Sequence, residues 1–301
     1  MTISRAQLAK ELEPGLNALF GLEYDRYEDE AAEIFESESS DRAFEEEVML
    51  SGFGTAPVKS EGSAISFDDA QETYTARYTM ETIALAFSIT EEAVEDNLYD
   101  SLAKRYTRAL ARSMSQTKQI KGATVMNNAF STGSPIGDGA ALCSAAHPSL
   151  SGNQNNLLAT PADLNETSLE EILIQIAGFT DERGLKIAVR GTKLLIPKEL
   201  QFIAERIINS NLRPGTADND INAMKSMGML PEGAVVNHFF TDADAYFVKT
   251  DCPNGFKLFN RTPLKTAMEG DFDTGNMRFK ARERYSFGVS DWRCVFGTPG
   301  A

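Results

Sequence analysis

The sequence predicts an α+β protein, and three stretches carry that prediction. From Ser60 to Lys121 an extended, alternating run (AISFDDAQETYTARYTMETIALAFS) passes without a break into a long helical one (TEEAVEDNLYDSLAKRYTRALARSMSQTKQIK). A segment around residues 167–260 then mixes helical and strand periodicities. A last alternating run, MRFKARERYSFGV, follows near the C-terminus. These are the period-2 and period-3.6 patterns of half-buried strands and one-sided helices.

Length and composition bound the rest. A chain of 301 residues holds two domains, or one domain with long extensions. The net charge of −15 argues against a general binder of nucleic acid or anionic membrane, both polyanions, and leaves room only for local basic patches. The first residues, MTISRAQLAKELEPG, lack the apolar core of a secretion signal, and no stretch approaches a membrane span. Cys143, Cys252 and Cys294 are far apart and odd in number, which does not suggest a disulfide framework and points to synthesis in a reducing cytoplasm.

Taken in order, residues 5–20 suggest short helical turns interrupted at Pro14-Gly15. From Glu23 to Glu47 the chain is strongly acidic, with Tyr24, Tyr27, Ile34, Phe35 and Phe44 scattered through it. The bland reading is a solvated tail. The apolar anchors favour an arm that docks on a surface after assembly. Gly52, Gly54 and Pro57 punctuate the chain before a ribbon begins. In the ribbon Ile65 and Phe67 alternate up to a turn at Asp68-Asp69, and a return strand is expected from about Glu72 through Phe87. Tyr74, Ala76, Tyr78 and Met80 share one face, opposite Thr73, Thr75, Arg77 and Thr79. An isolated two-stranded ribbon is marginal in water, so its apolar face calls for a partner.

Ser88 with Glu91 fits a capping box, and Thr90 competes as cap for the long helix. Thr90–Lys121 lacks Gly and Pro, and about 30 residues at 1.5 Å each would span roughly 45 Å. An apolar ridge is expected at Val94, Leu98, Leu102, Tyr106, Leu110 and Met114. A second ridge, Lys104, Arg108 and Arg112, joins Arg105, Lys118 and Lys121 in a strongly basic stretch. It reads either as a solvated face or as one opposed to an acidic arm or to nucleic acid. Residues 131–166 are loop-like. Thr167-x-x-Glu170 and Ser168-x-x-Glu171 open a helix bearing Leu169, Ile172, Leu173 and Ile176, with Gly184 as a stop signal. Strands are expected at Leu185–Val189, Lys193–Ile196, 234–240, 244–250 and 256–260. Between them, Leu200, Ile203, Ala204, Ile207 and Ile208 give a helical core face. The final run places Met277, Phe279 and Ala281 opposite Arg278, Lys280, Arg282 and Arg284.

No enzyme class emerges. His147 follows Cys143 at i+4, but in a loop-like context and without further ligands for a metal. A Cys143 nucleophile with His147 as base is weak for the same reason. His238, in VVNHFF, reads as structural. The phosphate-binding and nucleophile-elbow motifs are absent. No catalytic residue, cofactor or metal is expected.

The order of parts is more informative. An acidic arm, a two-stranded loop, a basic-sided helix, an α/β insert and a basic terminal strand succeed one another. The run FDDAQETYTARYTMETIALAFSITEEAVEDNLYDSLAKR, the loop AAHPSLSGNQNNLL, KLLIPKELQFIAERIINS and the ending KARERYSFGVSDWRCVFG carry the likeness. On these the chain resembles the major capsid proteins of tailed phages, in the Hong Kong 97-type fold, and within them the major head subunits of Mu-like phages. The resemblance implies an N-terminal arm at 1–57 and an extended loop overlapping a neighbouring subunit at 58–88. It further implies a peripheral domain with a spine helix at 89–149, an axial domain at 150–261, and returning peripheral strands at 262–301. It implies a virion protein made in the bacterial cytoplasm, assembling with itself into pentamers and hexamers and meeting scaffolding, portal and decoration proteins. Contact with packaged double-stranded DNA would be non-specific, and no membrane is involved. A Lys–Asn crosslink of the kind some members form is not placed here. No long charged helical region precedes the arm, so a separate scaffolding protein or a mature chain is expected.

The expected inter-subunit contacts are Tyr74, Arg77, Tyr78, Lys104, Arg108, Arg112, Arg282 and Arg284. Tyr74 and Tyr78 are expected to be buried only in the shell, and the acidic arm to pair with the basic surfaces of neighbours. An encapsulin-like compartment shell is the alternative within the fold, and a thiol-dependent hydrolase using Cys143 and His147 the alternative outside it.

Overall fold

The computed structural model describes residues 5–26, 28–90, 92, 99–132, 136–212, 220–271 and 274–301. They form two units, each assembled from separated stretches of chain. The first takes Met1–Phe44, Thr79–Gly122 and Leu258–Ser286, and the second Glu45–Tyr78, Ala123–Lys257 and Phe287–Ala301. The stretch 262–301 is shared between them, with its residues up to Ser286 in the first and the rest in the second.

The first unit is a sheet with helices on one face. Strands β1 (Glu36–Ser39), β4 (Glu81–Ile89), β8 (Phe256–Gly270) and β9 (Met277–Val289) lie in the order β1-β8-β9-β4. β4 and β9 are antiparallel, from Glu81 opposite Tyr285 to Ile89 opposite Met277. The pleat sends Phe279, Ala281, Glu283 and Tyr285 inward and leaves Arg278, Lys280 and Arg282 exposed. Helices α1 (Arg5–Tyr24) and α2 (Tyr99–Asn127) close the inner face. The core joins Leu16 and Phe20 of α1 and Ala103, Leu110, Ala111 and Met114 of α2 to Ile89, Phe279 and Ala281 of the sheet. Ring contacts run through it from Tyr24 to Phe20, Phe279, Phe87 and Tyr106, with centroids 5.6–6.3 Å apart.

Three expectations change here. α1 runs through Pro14-Gly15 instead of breaking there. A proline inside a helix removes one hydrogen bond, and packing of Leu16 and Phe20 offsets that loss. From Ala103 to Met114 the buried positions of α2 are Ala103, Thr107, Leu110, Ala111 and Met114, a 3.6-residue periodicity, so Tyr106 of the expected fourfold ridge lies half exposed. Val94, Leu98 and the cap partner Glu91 lie outside the described residues. The arm, finally, docks on its own chain. Ile34 and Phe35 are buried, β1 extends the sheet, and Gln119 of α2 accepts from the Ala31 amide (2.9 Å) and donates to Asp29 (2.7 Å).

The second unit is built on a mixed sheet in the order β10-β7-β5-β6, made of β5 (Gly191–Pro197), β6 (Ala234–Asn237), β7 (Tyr246–Thr250) and β10 (Val295–Thr298). β5 runs parallel to β6 and antiparallel to β7. As an inner strand it is buried on both faces, which is why KLLI reads as an apolar run without alternation. Helix α3 (Glu166–Ala177) buries Leu169, Ile172, Leu173 and Ile176. Its cap is Asn165, which accepts from the Ser168 amide, while Ser168 Oγ answers the Asn165 amide. The Thr167 and Ser168 boxes expected from sequence thus start too late, and the helix stops at Gly178 rather than Gly184. Helix α4 (Gln201–Asn209) buries Ala204 and Ile207, and a short α5 (Ala223–Met227) follows. Residues 185–189 form no strand. They follow a turn closed by an isolated bridge between Thr180 and Lys186, and Ala188 has a positive φ of 52° that ends any alternation.

A two-stranded ribbon pairs β2 (Phe44–Leu50) with β3 (Glu72–Thr79). The expected partner, Ile65–Phe67, is not a strand. The expected return strand is also two strands, divided at Met80, because β4 leaves the ribbon to pair with β9.

Candidate interaction surfaces

The ribbon is rooted by a buried polar chain. Tyr78, only 3% exposed, is hydrogen-bonded to Ser290, which donates to Glu47, whose other oxygen pairs with the Lys257 ammonium. Lys257 and Ser290 are both buried. The close approach of Gly288 to the Tyr78 ring, where a Cβ would lie 2.5 Å from Cε1, seats the tyrosine. Tyr78 is therefore buried inside its own chain, contrary to the expectation that only a shell would cover it. Tyr74 is likewise half buried. Desolvation, with the Asp291 carboxylate nearby, pushes its hydroxyl far above the ordinary tyrosine range.

The outer side of β2 inverts the usual pattern. Glu45, Glu47 and Met49 are the more covered residues, whereas Phe44, Val48 and Leu50 are exposed. Beyond β2, residues 51–71 form an extended loop held by the Gly54 amide donating to Asp68 (2.7 Å), with Arg183 pairing with Asp68 (3.3 Å). Its apolar side chains point away from any core: Val58 is 99% and Phe67 91% exposed, and Phe53 and Ile65 are exposed as well. A contiguous apolar display of this kind marks an interaction site in a soluble protein.

The basic candidates sit on two surfaces of the first unit. Lys104, Arg108 and Arg112 are exposed on α2, and Arg282 is exposed on the outer face of the sheet with Arg284 half buried beside it. Arg77 is exposed on the ribbon, 3.7 Å from Glu46. Several acids of the arm are engaged within their own chain. Asp29 lies 4.0 Å from Lys118 of the same chain, and Glu46 and Glu47 pair with Arg77 and Lys257.

The stretch that reads as loop-like in sequence contains a polar hub of the second unit. The Asn156 amide donates to the carbonyls of Leu142 (2.7 Å), Val295 (3.1 Å) and Trp292 (3.2 Å), and its oxygen accepts from the Ser144 amide (2.8 Å). The same oxygen lies 3.0 Å from His147 Nε2, and Asp138 lies 2.7 Å from Nδ1. The imidazole stacks on Trp292 at 4.5 Å, and Arg293 covers the indole while pairing with Glu182 and Asp291. Nothing in the residue types of 136–157 signalled this. An Asn with several backbone partners looks like any loop Asn until the fold brings them together. The hub also removes the thiol chemistry. Both ring nitrogens of His147 face Asp138 and Asn156 rather than Cys143, which is fully enclosed, and burial pushes its thiol far above the normal range. Among the described residues no group of three or more His, Cys, Asp or Glu could hold a metal, and no helix is long and apolar enough to cross a membrane.

What the geometry offers is display: an apolar loop, an inverted strand and two basic surfaces. The model of the phage capsid protein family matches residues 73–297, about three-quarters of the chain. The chain belongs to that family. Solved structures similar to it include the capsid of a native GTA particle (TM-score 0.57, 12% identity, 91% of this chain and 92% of that one). The capsid of Myoviridae phage XM1 matches with TM-score 0.54 at 11% identity, over 89% of each chain. A virus-like particle from Pyrococcus furiosus matches with TM-score 0.54 at 8% identity, over 94% of this chain and 97% of that one. No curated protein matches the sequence. The fold is the α+β capsid fold of the Hong Kong 97 type.

Proposed function

We propose that this phage capsid protein is the major head subunit of a tailed double-stranded DNA phage, closing as pentamers and hexamers into an icosahedral shell around the genome. The observation that carries the reading is the family match over residues 73–297 together with fold similarity along nearly the whole chain to capsid subunits. The apolar loop at 51–71 and the outer side of β2 support it, because they present surface that a lone chain leaves in water. In this reading residues 1–57 act as arm, 58–88 as the loop overlapping a neighbour, 89–149 and 262–301 as the peripheral domain and 150–261 as the axial domain. Arg77 and the basic residues of α2 and β9 lie at contacts outside the subunit. Scaffolding, portal and decoration proteins would be further partners, and the virion is the site of action. Negative-stain microscopy of the purified protein, alone and with the scaffolding partner, is expected to show closed shells. A compact monomer under all these conditions overturns the reading. Shells that hold a cargo protein instead of DNA would point to the encapsulin-like alternative.

A further inference from the structure

We infer that Asp68 sets the pose of the loop at 51–71: with Gly54 and Arg183 it forms a clasp that presents the loop's apolar side chains, already ordered, to a neighbouring copy of the chain. The inference rests on the capsid reading, in which that loop overlaps a neighbour, and adds to it the residue that positions the contact.

The ribbon of β2 and β3 is closed as far as Ser51 and Gln71. The Ser51 amide donates to the Gln71 carbonyl (2.8 Å), and the Gln71 amide donates to the Ser51 hydroxyl (2.9 Å). Beyond that neck, residues 55–67 form a lobe with little internal structure. Ser63 bonds to the Ser60 carbonyl through its amide (3.2 Å) and its hydroxyl (2.7 Å). Among the described residues, the lobe makes no hydrogen bond or ion pair to any other part of the chain. Apolar burial does not hold it either, since Val58, Ile65 and Phe67 are exposed. Residues 53–68 curl around an open space of about 650 Å³ instead of collapsing on themselves.

One carboxylate at the neck does what the lobe cannot. Asp68 Oδ2 accepts the Gly54 amide from across the neck (2.7 Å), and Oδ1 accepts the Asp69 amide (3.0 Å). The Gly54 amide above all, then the Asp69 amide and Arg183, keep the Asp68 carboxyl below its ordinary range. Arg183 grips the same point twice. Its Nη1 meets Asp68 Oδ1 (3.3 Å), and its Nη2 donates to the Asp69 carbonyl.

An exposed ion pair usually contributes little, because two flexible side chains must be held in one geometry. Here the arginine end is fixed beforehand. The Asp181 carboxylate accepts the amides of Arg183 and Leu185 (2.8 Å each), and the adjoining Glu182 is buried against Arg293 (2.9 Å). The clasp thus ties the lobe to the polar hub of the same unit. A lobe ordered in advance loses less conformational entropy when a neighbour covers it, which favours the contact.

The test compares the full-length wild type with Asp68→Ala, which removes both acceptor oxygens, and with Arg183→Gln. Lys59 is the only basic residue between 51 and 71, so trypsin cleavage after it reports how often the lobe opens in the unassembled chain. Urea unfolding of the same chains is measured, and shells are imaged over a series of protein concentrations. Asp68→Ala is expected to speed cleavage at Lys59 at least fivefold and to raise the lowest shell-forming concentration at least threefold. The unfolding equilibrium constant is expected to rise by no more than the cleavage rate does. Arg183→Gln is expected to move cleavage and assembly in the same direction by less. Unchanged cleavage in Asp68→Ala overturns the inference even if shells are lost, because the carboxylate would then touch the neighbour directly. Faster cleavage with shells at the wild-type concentration also overturns it. So does a rise in the unfolding constant greater than that in cleavage, which makes Asp68 part of the subunit's own core. A wild type that forms no shells at all counts against the capsid reading, while the cleavage rates still decide whether the clasp holds the lobe.

Discussion

Lys257 lies buried with its ammonium against Glu47, which in turn holds Ser290 and through it Tyr78. Removing one member of a buried pair strands the other charge, typically at 3–5 kcal/mol. Because the Glu47 side chain keeps 25% exposure, Lys257→Met should cost somewhat less, about 2–3 kcal/mol in urea unfolding of the dissociated chain, with part recovered when Glu47→Gln is added. Glu283 poses the opposite problem. It sits on the inward face of β9, where desolvation outweighs Lys118 and the Tyr24 hydroxyl and raises its carboxyl above the ordinary value of 4.5. A raised carboxyl binds its proton more tightly folded than unfolded. The stability it contributes is therefore complete below 4.5 and is lost as pH rises through the folded value. Glu283→Gln should accordingly gain in melting temperature over the wild type at pH 7.5 and show little gain at pH 4. An equal effect at both pH values would contradict this. Neither residue was legible as special in the sequence. Glu47 reads as one more acid in an acidic run, and Glu283 as a charge in the alternating KARER.

Elements were legible where local pattern and final environment agree. The face Leu200, Ala204 and Ile207 belongs to a helix start and an amphipathic helix, and KLLI to a strand buried on both sides. The ribbon was misread because its partner is not the neighbouring stretch. FEEEVML carries three carboxylates and places its apolar residues outward, so it resembles a tail, while Ile65 and Phe67 alternate without a strand to pair with. Pairing across twenty or more residues leaves little local trace. The loop between β2 and β3 is the element whose apolar residues do least for the lone chain. Val58→Ser with Phe67→Ser should leave urea unfolding within about 0.5 kcal/mol of wild type, as expected for surface changes, while shell yield falls severalfold. A matching fall in monomer stability would instead make the loop part of the subunit's own core.

At the scale of the molecule, the order of parts rather than any motif carried the resemblance, and the family match bears it out. What order alone left open was how the pieces share out. Each unit is drawn from several stretches, and β9 begins in one and ends in the other. The basic sides of the first unit were visible as residues, but which of their charges are met internally depends on where the arm settles. A shell built from such chains concentrates charge, and its stability should depend on ionic strength at the contacts between copies far more than within a copy.

The stack of Trp292 on His147 gives the chain an optical handle. Trp292 is the sole tryptophan, fully enclosed in the second unit, and the first unit contains none. Its near-ultraviolet emission therefore follows the packing of the α/β unit alone, unlabelled, from the free subunit to the closed particle. Rearrangements confined to the other unit would pass unseen in that signal, so the two halves of the subunit can be timed separately by comparing it with a whole-chain probe such as far-ultraviolet dichroism.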